Sequence, residues 1–191
     1  MPRSEEQFEE IRKEKSLLIR DVALRLFAEQ GYHAVSISQI AKEAGISKGL
    51  MYNYFESKED LLKSIMEQII EEMFSDLDSN RDGILQQDEL ISYIKHTFQN
   101  VRERVGFWKL FYALSTQPGV LAIAEKKMTE HSKPIMQLVM TYFNSGKFDD
   151  PRLEIAFFGT MMSGAIQKYV FSNGTFPLDD IEKRIIEIYT K

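Results

Sequence analysis

The sequence predicts an all-α protein: an N-terminal three-helix domain containing a helix-turn-helix, followed by a second, helical-bundle domain. Three observations predict it. Apolar residues recur at helical spacing through most of the 191 residues. No run of strict apolar/polar alternation lies between turn residues, as a half-buried strand requires. The five prolines and ten glycines fall mostly at the edges of the periodic segments, so long helices are permitted.

The first helix is expected over residues 4–30. Its Ile19, Val22, Ala23, Leu26 and Phe27 form one apolar stripe, and Gly31 follows as a C-terminal cap. Ser36-Ile37-Ser38-Gln39 reads as a capping box, in which serine and glutamine satisfy each other's backbone amides. Ile37, Ile40, Ala41 and Ala44 give that second helix an apolar face, and Gly45 ends it. Ser47 is an N-cap for a third helix over 48–54. Ser57-Lys58-Glu59-Asp60 opens a fourth, connecting helix over 58–75, which carries Leu61, Leu62, Ile65, Ile69 and Phe74.

A turn-rich segment at 76–87 interrupts the pattern. Further helices are expected over 88–105, 107–116, 120–144 (kinked at Pro134), 151–172 and 179–189. Pro118-Gly119 marks a turn, Asp150-Pro151 a cap with proline in the first turn, and Gly174 a helix end. The domain boundary is placed after residue 57, giving domains 1–57 and 58–191.

Composition narrows the function classes. With 43% hydrophobic and 28% charged residues the chain is globular rather than disordered. It contains no cysteine, which excludes disulfides, thiolate metal sites and cysteine nucleophiles. No apolar run reaches the roughly 18 residues of a membrane span, and MPRSEEQFEE lacks the pattern of a secretory signal; a cytoplasmic protein with no membrane partner is expected. The net charge is −5. Residues 1–57 hold eight Lys/Arg against nine Asp/Glu, and 58–191 hold 16 against 20, so neither half is basic. Any affinity for nucleic acid must come from a few placed cations, helix N-termini and backbone amides.

Two short helices joined by a tight glycine-containing turn, behind a longer supporting helix, form a helix-turn-helix. In the second short helix, Met51 and Phe55 point one way, while Lys48, Gly49, Tyr52 and Asn53 share the other side. Gly49 lets a phosphate approach the backbone, and Ser47 offers a hydroxyl at the helix start. Lys48 brings a cation, Tyr52 and Asn53 can reach phosphates or base edges, and Leu50 can touch a thymine methyl. Lys58 can clamp the flanking phosphates. The same three helices also suit an ordinary bundle corner.

The stretch ALRLFAEQGYHAVSISQIAKEAGISKGLMYNYFESKEDLL closely resembles the N-terminal domain of the tetracycline-repressor (TetR) family of bacterial regulators. The resemblance lies in Leu26-Phe27 before Gln30-Gly31-Tyr32, Ile40-Ala41 with Ala44-Gly45, Ser47-Lys48-Gly49, and Tyr52-Asn53-Tyr54-Phe55 leading into Ser57-Lys58-Glu59. It implies a DNA-binding regulator, not an enzyme: a ligand-responsive repressor that binds a palindromic double-stranded operator as a homodimer and is released by an effector. By position it implies DNA contacts from Ser36, Ser47, Lys48, Gly49, Leu50, Tyr52, Asn53, Tyr54 and Lys58. Leu50, where the family often has a small polar residue, and the acidic run at 5–10 depart from the family pattern. The resemblance further implies that 58–191 is an effector-binding and dimerisation domain that requires no cofactor.

Trp108, Phe111, Tyr112, Met136, Met140, Phe143, Phe157, Met161 and Met162 are enough to line an effector cavity, or equally to fill a core. No convergent charged set discloses the effector's chemistry. Ala156, Gly159, Ser163, Gly164 and Ala165 on the 151–172 helix let a second helix approach closely, across a dimer or within one chain.

Residues 78–89 fit an EF-hand calcium loop. Asp78, Asn80 and Asp82 supply side-chain oxygens, Gly83 the turn, Ile84 a carbonyl, and Glu89 the bidentate position. The same residues serve as caps and turn formers of a helix–helix connector. The motif keeps open a reading of another class, a calcium-responsive helical interaction protein without specific DNA binding. An enzyme is the weakest reading, since His33, His96 and His131 have no acid–base or metal-ligand spacing and no glycine-rich phosphate loop occurs.

Overall fold

The computed structural model describes residues 5–75, 77–146, 148–172 and 175–189. Among the described residues nine α-helices follow one another and no strand is present. They are α1 Glu5–Gln30, α2 Ile37–Glu43, α3 Lys48–Met51, α4 Lys58–Phe74 and α5 Gln87–Glu103. Then come α6 Val105–Ser115, α7 Val120–Phe143, α8 Pro151–Phe171 and α9 Leu178–Tyr189. Eight of the expected helices recur with ends moved by a residue or two. The third is shorter than expected: regular α-helix stops at Met51, and Asn53 and Tyr54 donate to Leu50 and Met51 in tighter three-residue steps. The expected positions Ser4, Asp76 and Gly174 lie outside the described residues.

The helices divide into two compact units. One runs to Gln68 and adds Leu110–Met128; the other holds Ile69–Lys109 and the described residues from Thr129 onward. This differs from the division expected after residue 57. The reason is covalent: α4, α6 and α7 each pass from one unit into the other, so no single cut in the chain separates them.

In the first unit the predicted stripe of α1 is the core, with Ile19, Ala23 and Phe27 fully buried. Ile40 and Ala41 of α2, Met51 of α3 and Leu61, Leu62 and Ile65 of α4 are buried as well. In the second unit α5 packs against α8 and α9, and α8 packs against α9. Arg102 of α5 bridges to Asp179 at 3.0 Å and Glu182 at 2.9 Å on α9. Phe143 of α7, Phe158 of α8 and Tyr189 of α9 meet ring to ring, with centroids 5.0–5.9 Å apart. Asp150 caps α8 by accepting from the amides of Arg152 and Leu153, with Pro151 in the first turn as expected. No helix among the described residues is long and apolar enough to cross a membrane.

Candidate nucleic-acid interface

Two serine caps aim the short helices. The Ser36 amide donates to Gln39 Oε1 at 2.9 Å and the Gln39 amide donates to Ser36 Oγ at 3.3 Å, the predicted capping box. Ser47 Oγ accepts from the Leu50 amide at 3.1 Å, which engages the hydroxyl oxygen in the cap itself. Between them the Ile46 amide returns to Ala41 at 2.9 Å, fixing the turn.

The division of faces on α3 follows the sequence pattern. Met51 and Phe55 are buried, whereas Ser47, Lys48, Gly49, Leu50, Tyr52 and Asn53 are exposed, Tyr52 to 49%. Ser36 is exposed on the same domain and Tyr54 is half-buried. Five exposed polar or small residues thus lie together at 47–53 on a segment anchored from beneath.

Lys58 departs from its expected place. Its ammonium donates to the carbonyls of Tyr32 at 2.9 Å, His33 at 3.3 Å and Val35 at 2.9 Å, and lies over the Tyr32 ring. An ammonium has three protons, and three inward carbonyls take them. Its geometry is that of a clamp on the α1–α2 loop rather than on an outside phosphate.

One contributor has no local signature. Gln117, which the sequence shows only as a neighbour of the Pro118-Gly119 turn, donates from Nε2 to Phe27 at 2.7 Å and accepts from the Tyr32 amide at 2.7 Å. No spacing rule connects positions so far apart.

Residues 19–65 match the family described as bacterial regulatory proteins, tetR family. The chain carries a tetR-family N-terminal domain. Relatives of this tetR domain include an uncharacterized HTH-type transcriptional regulator, YuxN, of Bacillus subtilis, 49% identical over 63 residues. That match covers 33% of this chain and 22% of the relative. The fatty acid metabolism regulator protein of the same organism is 43% identical over 70 residues, 35% of this chain and 36% of that protein. The chain thus spans well under half the length of these two curated relatives. Among solved structures, NalD of Pseudomonas aeruginosa, the secondary repressor of the MexAB-OprM multidrug efflux pump, superposes with a TM-score of 0.72. It is 18% identical, over 94% of this chain and 95% of that one. That likeness extends the shared fold beyond the tetR domain.

Outside the tetR domain, the second unit contains a cavity of ≈ 500 Å³ lined by Ile69, Glu72, Asn100, Arg104, Phe107 and Trp108, among others. Arg104 bridges to Glu72 at 2.6 Å and stacks on Phe107 at 4.2 Å, and Trp108 Nε1 donates to Asn100 at 3.1 Å. Of the nine expected cavity residues, Trp108 lines this cavity. Phe143 and Met162 are core, and Met136 and Phe157 are about half exposed. Met140 and Met161 are half-buried elsewhere, and Phe111 and Tyr112 belong to the first unit. Apolar side chains at helical spacing line whichever face a helix buries, so composition does not separate a cavity wall from a core.

The outward side of α8 carries Leu153, Phe157 and Phe171, exposed to 65%, 51% and 58%. Small residues lie among them, and a Cβ added at Gly159 or Gly164 would meet nothing within 4 Å beyond its own stretch of helix.

The 78–89 loop is tied by its own side chains. Asp78 accepts from the amides of Asp82 at 3.0 Å and Gly83 at 3.1 Å; Asp82 accepts from Ile84 at 2.8 Å, and Asn80 Oδ1 from Asp82 at 2.9 Å. Glu89, buried, accepts from the Ser79 amide at 3.1 Å and the Gln86 amide at 3.0 Å. Those donors, the Gln86 amide foremost, hold its carboxyl below the usual glutamate range. The described residues contain no group of three or more His, Cys, Asp or Glu that could hold a metal ion. The side chains of Asp78, Asn80, Asp82 and Glu89 thus accept from the loop's own amides, the turn formers' work that the sequence also allowed.

Proposed function

We propose that the chain is a cytoplasmic, ligand-responsive transcriptional repressor that binds a palindromic operator as a homodimer and lets go when a small molecule binds its second unit. The observation that carries this reading is the exposed set Lys48, Gly49, Tyr52 and Asn53, held outward by buried Met51 and Phe55 on a tetR-family domain. An α-helix so anchored fits the major groove, where a cation, a hydroxyl and an amide reach phosphates and base edges. Gly49 adds support: beyond its own stretch of helix, a Cβ there would meet nothing nearer than Ser47 Oγ at 4.0 Å, which leaves this backbone open to a phosphate. Selection of bound duplexes from a random pool tests the reading. A palindrome whose affinity falls with added salt is expected, and a pool without enrichment overturns it.

The dimer reading draws on α8, where large apolar side chains flank open glycines. One short recognition helix reads few bases, and a twofold pair reads two half-sites.

For the effector, the ≈ 500 Å³ cavity with Phe107 and Trp108 beside the Glu72–Arg104 pair suits an amphipathic molecule with one polar end. The relative named as a fatty acid metabolism regulator makes an acyl compound the first to test. Loss of operator binding on adding it, at concentrations that leave folding unchanged, is the expected result.

Calcium at 78–89 is a narrower reading. Its supports are the ligand pattern, the left-handed Arg81 and Gly83 at φ 58° and 76°, and the inward Leu85. It requires Glu89 to exchange its amide donors for the ion. Calorimetry with calcium on the wild type and on Glu89→Gln tests it, and flat titrations of both remove it.

A further inference from the structure

The last turn of α1 is completed by a residue from far along the chain. Gly31, at φ +93°, breaks the helix, and its amide returns to Phe27 at 3.1 Å. In the fuller helix ending the next amide also bonds back into the last turn. Here that amide, from Tyr32, goes to Gln117 Oε1 at 2.7 Å, and Gln117 Nε2 donates to Phe27 at 2.7 Å and to Ala113 at 3.3 Å. A single side-chain amide thus serves both sides of the break, across 90 and 85 residues of chain. Phe27 and Tyr32 are buried and Gln117 is half-buried, so water competes weakly for these bonds.

We propose that Gln117 is a positioning residue for DNA recognition, holding the α1–α2 loop, and through it α2 and α3, in the attitude that meets the duplex. The inference rests on reading residues 47–53 as the DNA face. Tyr32 stands four residues before the Ser36 cap, and the Ile46–Ala41 bond carries α2 directly into the Ser47 cap of α3. Lys58 holds the same loop by its carbonyls, so Gln117 and Lys58 together leave it little freedom. Gln117 is the second residue after α6.

The test uses the full chain, the duplex selected above, and the variants Gln117→Ala and Gln117→Glu. The first removes all three bonds; the second keeps an acceptor for Tyr32 and loses the donor to Phe27 and Ala113. Tyr32 amide exchange, measured by NMR, is expected to quicken about tenfold or more in Gln117→Ala. Its operator dissociation constant is expected to rise about tenfold, a size set by two partly buried hydrogen bonds. The salt slope should stay unchanged, since no phosphate contact is lost. Gln117→Glu turns a carboxylate oxygen toward the Phe27 carbonyl, so its affinity should fall at least as far while the Tyr32 amide keeps its acceptor, and it carries the comparison if the alanine variant does not fold. Operator affinity within twofold of wild type, alongside a faster Tyr32 amide, overturns the proposal. So does an unchanged Tyr32 amide, or an affinity loss no larger than the loss of folded protein. A wild-type chain that enriches no duplex fails the DNA reading itself, a different result, and the proposal falls with it.

Discussion

The ammonium of Lys58 lies 4.7 Å from the Tyr32 ring centroid and donates to that residue's own carbonyl at 2.9 Å. Tyr32 is therefore gripped at ring and carbonyl by α4 and at its amide by Gln117. Charge-assisted bonds are roughly twice as strong as neutral ones, and removing the ammonium strips three carbonyls of a donor. Lys58→Ala is expected to lower unfolding stability by about 2 kcal/mol. Lys58→Arg should not restore it, because a planar fork cannot meet three carbonyls around one point. Urea titration of both variants checks this; an alanine variant as stable as wild type would mean the clamp is idle.

Lys48 makes the opposite case. It is exposed, and Lys48→Ala should leave stability within about 0.5 kcal/mol. Duplex affinity should fall on every sequence, with the salt slope shallower by about 1. Tyr52→Ala should weaken the selected palindrome without unfolding the chain. Gel-shift titrations at several salt concentrations decide both, and unchanged affinities would discredit this face.

Phe157 is half exposed on α8 with Leu153 one turn before it. A carboxylate there would be buried without a partner in the proposed two-chain interface. Phe157→Glu should raise the dimer dissociation constant at least a hundredfold, weaken operator binding with it, and leave the helical signal intact. Sedimentation at several concentrations reads the result, and an unshifted dimer would move the interface elsewhere.

Glu89 gives a pH dependence. Its folded pKa lies below the ordinary value of 4.5, because the Gln86 amide and the Ser79 amide and hydroxyl donate to the charged form. Its stabilisation is complete above the unfolded value and is lost as pH falls through the folded one. Glu89→Gln should cost about 1 kcal/mol at neutral pH, with the gap closing in acid. Melting curves of both proteins across that range check it, and a gap that widens in acid would contradict the assignment.

Much of the fold and of the candidate face is legible residue by residue. Ile19, Ala23 and Phe27 recur at the helical period and are fully buried; Ser36 and Gln39 make the expected capping box. Met51 and Phe55 face inward while Lys48, Gly49, Tyr52 and Asn53 face out. These features depend on neighbours within four positions, where backbone geometry alone says which side chains share a face. Local pattern reached its limit at Lys58, outwardly a phosphate contact, and at Gln117, outwardly part of a turn. Of the nine candidate cavity residues, Trp108 lines the cavity of the second unit. Those roles depend on partners 23 to 90 residues distant, and the strength of a hydrogen bond there is set by which buried carbonyl the folded chain brings within 3 Å. Sequence determined the helices and the face they offer; the packing of α4 and of the α6–α7 turn against the α1–α2 loop decided how that face is held.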